Sequence, residues 1–376
     1  MRASLAVLVA AAALTVVSPA VAGTPTFAAF ASYQTGTGLG PGPAPVNTVA
    51  ADFDRDGDLD VATTSQFGQA NAIVVPNNGN GTFGTPTQVA GTSGSQSLVT
   101  GDVNGDGNPD LVGMTPNAVL VAVGNGHGGF AAPHSYPVTL GGQVQAILVD
   151  LNGDGKLDIA APTFTAIQTL IGNGDGTFHS GPTTQVPAGA LSAISSAKLD
   201  SDSKPDLLAV DGFSGSVFEL KGTGTGAFTV GGHLAAGFVP EDVSAVDLNG
   251  NGIDDVAVIG SFSFSLATAL SDGHEGFASA LLPDFQSGGP GPTSLGVADL
   301  DHDGRQDLVV SDVADPLAPS LLVFSGNGTV HPDQTATLPV DRFPQNPAIA
   351  DLNGDGRPDI AVAGTGTLSV LLNTTP

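Results

Sequence analysis

One nine-residue pattern returns seven times in this chain, and its periodicity constrains the fold more than any other feature. Its clearest copy is Asp150-Leu151-Asn152-Gly153-Asp154-Gly155-Lys156-Leu157-Asp158, with oxygen-bearing side chains at positions 1, 3, 5 and 9 and glycine at position 6. The copies start at Asp52, Asp102, Asp150, Lys198, Asp247, Asp299 and Asp351, so successive starts lie 50, 48, 48, 49, 52 and 52 residues apart. A chain of near-equal units must bury each unit against its neighbours, which overrules a division into two domains from length alone.

Each unit reads as four strands. In the third copy, residues 143–149 precede the acidic loop, and a short apolar run, residues 157–161, follows it. Next come residues 166–171, the glycine-rich turn 172–178 (Gly-Asn-Gly-Asp-Gly-Thr-Phe) and a polar extended piece to Gly189. Every piece has strand length and is bounded by Gly, Pro, Asn or Asp. The turn recurs at 78–83, 124–130, 222–228, 271–277 and, in reduced form, 325–330. Apolar runs without alternation, such as 307–310 and 360–363, suit strands covered on both faces. Seven four-stranded antiparallel units of this length predict an all-β, seven-bladed β-propeller. The seventh unit stops at residues 371–373, where the others enter their glycine turn, while residues 26–30 resemble 82–86. The N-terminal strand is therefore expected to pair into the last blade and remove the free sheet edges.

Composition narrows the setting. Residues 1–22 read as an export signal, with Arg2, an apolar run over 5–17 and Ala20-Val21-Ala22 before Gly23. The expected division is a signal over 1–22 and a single propeller over 23–376, secreted to the extracellular side, without a membrane span. A net charge of -27 with only 9 Lys+Arg excludes nucleic acid as a partner, because phosphate contacts need cations. The acids are not a disordered tail: 41% of residues are apolar and 12% charged, so the charge is concentrated locally. With no cysteine, disulfides cannot cross-link the chain.

Four oxygen donors in nine residues, curled by a glycine, suit Ca2+, which takes six to eight oxygen ligands in a flexible shell. The acidic loop, the apolar strand after it and the Gly-Asn-Gly-Asp-Gly-Thr-Phe turn together resemble the VCBS/FG-GAP-like repeat, a relative of the calcium-binding blades in the integrin α-subunit propeller. The resemblance covers about residues 24–376. It implies that the loop joins the first two strands of a blade and holds Ca2+ through positions 1, 3, 5 and 9 with the carbonyl of position 7. An EF-hand is excluded, since position 12 is Thr63, Gly113, Ala161 or Val362 where a glutamate is needed.

Residue by residue, the resemblance implies metal ligands Asp52, Asp54, Asp56 and Asp60 in the first loop and Asp299, Asp301, Asp303 and Asp307 in the sixth, the two tightest. The second (Asp102, Asn104, Asp106, Asp110), third (Asp150, Asn152, Asp154, Asp158) and seventh (Asp351, Asn353, Asp355, Asp359) each lose one charge. The fifth (Asp247, Asn249, Asn251, Asp255) loses two. The fourth departs from the family: Lys198 stands at position 1 and Ser203 at position 6, beside Asp200, Asp202 and Asp206. It is expected to be metal-free, with the Lys198 ammonium in place of the ion. About five to six structural ions are then expected.

No convergent nucleophile, acid or base stands out, and His127, His134, His179, His233, His274, His302 and His331 are scattered. A non-enzymatic protein-interaction or adhesion module, monomeric, with an extracellular protein or glycan as partner, is the reading; a lectin or polysaccharide-processing protein is the alternative. With no Trp and only Tyr33 and Tyr136, the residues that usually stack on sugars are scarce. The partner surface is expected opposite the calcium loops, in 65–71, 211–216, 261–265, 287–293, 312–320 and Asp341-Arg342, with Phe262 and Phe264 the most suggestive pair.

Overall fold

The computed structural model describes residues 24–35, 47–64, 71–138, 145–236, 239–260, 265–274, 276–277, 282–286, 291–313, 315 and 317–376. The expected signal (1–22), Phe262 and Phe264, and most of the loops at 65–71 and 287–293 lie outside the described residues.

Seven separate four-stranded sheets make up the described structure, and every strand pairing within them is antiparallel. The third is representative: Ile147–Val149, Asp158–Pro162, Ala166–Gly172 and Phe178–Gln185 pair in sequence order. The seventh differs as the sequence suggested. Its strands Gln345–Ala350, Asp359–Ala363 and Thr367–Leu371 are joined by the N-terminal strand Ala31–Gln34, in the register Ala31↔Val370 to Gln34↔Thr367. A bridge between Phe27 and Asn373 extends this pairing.

The core lies between sheets. The second strand of each unit is buried along its whole length, save Thr115 at the end of Asp110–Thr115, because a neighbouring blade covers each face. Fourth strands such as Phe178–Gln185 are mostly exposed and accordingly polar. Apolar clusters occupy the junctions: Val119 and Val121 meet Ile159 and Leu170 between blades 2 and 3, and Val61 and Val75 meet Ala361 and Leu368 between blades 1 and 7. Each such Val or Leu contributes about 1.5–3 kcal/mol relative to exposure, so blade order is fixed by the junctions.

Candidate metal centres and the opposite face

The acidic loop is the turn between the first and second strands of each blade, and two of its nine positions, 2 and 9, are anchored inside the protein. Position 2 is apolar and buried in all seven copies: Phe53, Val103, Leu151, Leu199, Leu248, Leu300 and Leu352. Position 9 is also buried in all seven, and its carboxylate staples two strand ends together. One oxygen accepts the N–H of position 2 and the other accepts the N–H that opens the glycine turn. In the third blade these are Leu151 N to Asp158 Oδ2 at 3.0 Å and Gly172 N to Asp158 Oδ1 at 2.8 Å. The same pair of bonds is made by Asp60, Asp110, Asp206, Asp255, Asp307 and Asp359. Position 9 thus has a backbone role that the spacing alone did not reveal.

Positions 1, 3 and 5 shape the loop. Asp150 Oδ1 accepts from Gly153 N at 2.8 Å, and its Oδ2 accepts from Gly155 N at 2.8 Å. Asn152 Oδ1 accepts from Asp154 N, and Asp154 Oδ1 from Lys156 N, a run of side-chain turns that aims successive oxygens inward. Six loops place positions 4 and 6 in the left-handed region, for example Gly153 at φ 78° and Gly155 at φ 80°. Arg55 and His302 hold this conformation at position 4 in the first and sixth loops without being glycine.

The first and sixth loops, the two with four Asp side chains, bring three carboxylates together: Asp52, Asp54 and Asp60, and Asp299, Asp301 and Asp307, each set with oxygens within 4.8 Å of one another. Such groups repel by about 4 kcal/mol per pair at about 4 Å and an effective dielectric near 20, which a divalent cation relieves. Asp52 Oδ1 is buried without a hydrogen-bond partner, an orphaned anion donor of the kind a cation satisfies. Burial and the neighbouring charges raise Asp54, while burial is the main cause that lifts Asp60 to about 6 and Asp307 to about 7. At Asp150 burial acts to raise the carboxyl, but the N–H groups of Gly155, Gly153, Asn152 and Asp154 outweigh it and hold it below its ordinary range. These all-oxygen sets fit a hard cation such as Ca2+.

In the fourth loop the structure differs from the sequence expectation. The Lys198 side chain is exposed, and the Lys198 backbone is held by blade 5, with Lys198 N donating to Asp254 Oδ2 at 2.7 Å and Asp254 N to Lys198 O at 2.8 Å. The ammonium groups that reach this loop's acids are Lys204, 2.9 Å from Asp202, and Lys221, 3.3 Å from Asp200. This loop has no carboxylate at position 1, and neither Ser201 nor Ser203 adopts the left-handed conformation of the other copies.

Glycine turns lie beside the acidic loops on the same face, and they sew neighbouring blades. Gly128 N donates to Phe53 O, Gly176 N to Val103 O, Gly226 N to Leu151 O and Gly81 N to Leu352 O, always from one blade's turn to position 2 of the preceding blade. The turn phenylalanines Phe83, Phe178 and Phe228 are buried. Both tyrosines are spent on the same junctions, Tyr33 edge-on to Phe83 and Tyr136 edge-on to Phe178.

The other face carries a different surface. Phe213 is 83% exposed and Phe164 is 54% exposed, each on the turn between the second and third strands of its blade. Buried Asp211 accepts from Gly189 N, Ala190 N, Phe213 N and Ser214 Oγ, which fixes the Phe213 loop against the link between blades 3 and 4. Phe164 O accepts from Leu191 N on that link. The Phe213 ring lies over Gly189, where an added Cβ would stand 2.7 Å from the ring, so only glycine permits this seat. The 211–216 loop is legible in the sequence, but the roles of Asp211 and Gly189 are not, because both depend on a contact between distant segments.

A model of the FG-GAP-like repeat family matches residues 52–113, 102–161, 150–209, 198–258 and 313–362. No curated protein matches the chain. Among solved structures, an Agrocybe aegerita lectin specific for non-reducing terminal N-acetylglucosamine is similar at 21% identity and a TM-score of 0.55, over 79% of this chain and 81% of that chain. BBS1N, solved in complex with ARL6DN, is similar at 12% identity and a TM-score of 0.60, over 95% of this chain and 98% of that chain. These likenesses concern the fold. With its repeats matched over more than half of its length and its seven blades in place, the chain belongs to the FG-GAP-like repeat family.

Proposed function

We propose that this protein is an exported, calcium-clamped, non-enzymatic binding module. Ca2+ is held by the loops starting at Asp52, Asp102, Asp150, Asp247, Asp299 and Asp351, and the partner is met on the opposite face. Bound ions neutralise the acidic loops and tie each first strand to its second, replacing the cross-links that cysteine cannot supply here. The observation that carries the binding reading is the presentation of Phe213: a large apolar side chain left in water, yet held on a loop fixed by four hydrogen bonds to Asp211. A pre-ordered aromatic loses little entropy on contact and suits a binding anchor. The neighbouring surface at Phe164, Ala188 and Gly189 carries no charge, unlike the acidic face.

The test is capture of an extracellular protein by the wild type against Phe164→Ser/Phe213→Ser, with melting temperature as the control. Loss of capture at unchanged stability supports the reading, and equal capture rejects this surface. The likeness to a lectin favours one second reading, a glycan ligand stacked on Phe213. Glycan-array binding that the same double variant abolishes would favour it over a protein partner. Export predicts a mature chain beginning at Gly23, read by N-terminal sequencing of the secreted protein.

A further inference from the structure

The fourth blade departs from its siblings at more than its loop. Aligned on the residue that opens the glycine turn, Lys221 stands where the other blades carry Pro76, Val123, Ile171, Leu270, Ser325 and Leu372. Glu219 stands where they carry Val74, Val121, Thr169, Thr268, Val323 and Val370. Both charges occur in the one blade whose loop lacks an acid at position 1. Residues 219 and 221 share one face of their strand, toward blade 5. Glu219 is 1% exposed, and its Oε2 is a buried acceptor without a hydrogen-bond partner. Lys221 Nζ lies 3.3 Å from Asp200 Oδ2 at position 3 of the acidic loop. Their side chains are 20% and 22% exposed, making this the most enclosed ion pair among the described residues.

We infer that Lys221 is the resident cation of the fourth loop: its ammonium, paired with Asp200 and carried two residues from Glu219 on the same strand face, does the work that a divalent ion does in the other loops and keeps a metal out. This rests on the calcium reading of those loops. A loop without Asp at position 1 has too few donors for Ca2+ but still holds Asp200 against the blade wall, and a lysine supplied from the third strand neutralises it permanently. Asp202 is matched in the same way by Lys204 at position 7. The third, sixth and seventh loops also have a cation at position 7, so Lys204 does not distinguish this blade, whereas Lys221 does. Blade 4 is then the part of the ring that stays clamped when calcium is withdrawn.

The test restores the ligands with and without the lysine. A loop carrying Lys198→Asp, Ser201→Gly and Ser203→Gly is compared with the same loop plus Lys221→Leu, and bound calcium per folded chain is measured after equilibrium dialysis. The first variant is expected to hold the same number of ions as wild type, and the second one more. An added ion with Lys221 in place, or none without it in a protein that melts like wild type, overturns the inference. Should the rebuilt loops not fold, Lys221→Leu alone decides: its melting temperature is expected to fall by about 2 °C or more, equally with Ca2+ and with chelator, and to be rescued by Lys221→Arg. An unchanged melt in chelator overturns the inference. A wild type that binds no calcium defeats the reading of the other six loops, while the chelator melt still judges Lys221.

Discussion

Replacing Asp206 by Ala isolates what position 9 does without metal, because the fourth loop has no acid at position 1. Asp206 is buried, and it accepts from Leu199 N at 3.0 Å and Gly222 N at 2.8 Å. Hydrogen bonds to a charged acceptor contribute about 1.5–3 kcal/mol each, and the two N–H groups left behind are enclosed by the blade. Burial raises the Asp206 carboxyl above its ordinary range, so removing it also relieves a desolvation cost. The difference leaves a loss of about 2–4 kcal/mol. Urea unfolding in chelator and in Ca2+ measures it, and the loss should be the same in both. Asp202→Asn, at exposed position 5 of the same loop, should stay within about 0.5 kcal/mol. Asp158→Ala in the third blade should lose more in Ca2+ than in chelator, because there the same carboxylate is also a proposed ligand. A cost at Asp206 no larger than that at Asp202 would refute the staple.

The metal-free protein should be more stable near pH 5 than near pH 8. Burial lifts Asp60, Asp110, Asp255 and Asp359 to about 6 and Asp307 to about 7, so between their unfolded value of 3.8 and these values the folded state holds protons that the unfolded chain has released. Stability in chelator therefore falls as pH rises through this window and is lowest above it, whereas with Ca2+ the order reverses because the ion requires the ionised forms; thermal melts at the two pH values check both. Position 4 should prefer glycine: Gly153→Val is expected to cost about 1–2 kcal/mol, while His302→Gly, which removes a side chain held at φ 58°, should leave stability unchanged or raise it, as read by denaturant midpoints.

Blade number, strand order and the pairing of Ala31–Gln34 into the last sheet were legible because they follow from local spacing repeated seven times. A period of about 50 residues with turn residues at fixed offsets leaves little freedom in how strands pair. The loops at 52–60 and 299–307 were legible as acid clusters for the same reason. What the sequence hid depends on contacts across blades. The spacing marks position 9 as a ligand, and its staple to Gly172 or Gly222 appears only once the third strand is folded back beside it. The motif alone puts Lys198 in the ion's place, but Lys221, over twenty residues on, is the lysine that reaches Asp200. Exposed Phe213 could not be told from the buried turn phenylalanines by residue type, because its seat is made by Gly189 and Asp211.

The measurement that bears most directly on the account is the melting temperature of the secreted protein with Ca2+ and after chelation, read together with the calcium bound per chain. About five to six ions are expected, with a melting temperature that drops substantially on chelation and recovers when Ca2+ is restored. A chain that binds no calcium and melts at the same temperature in both buffers would contradict it.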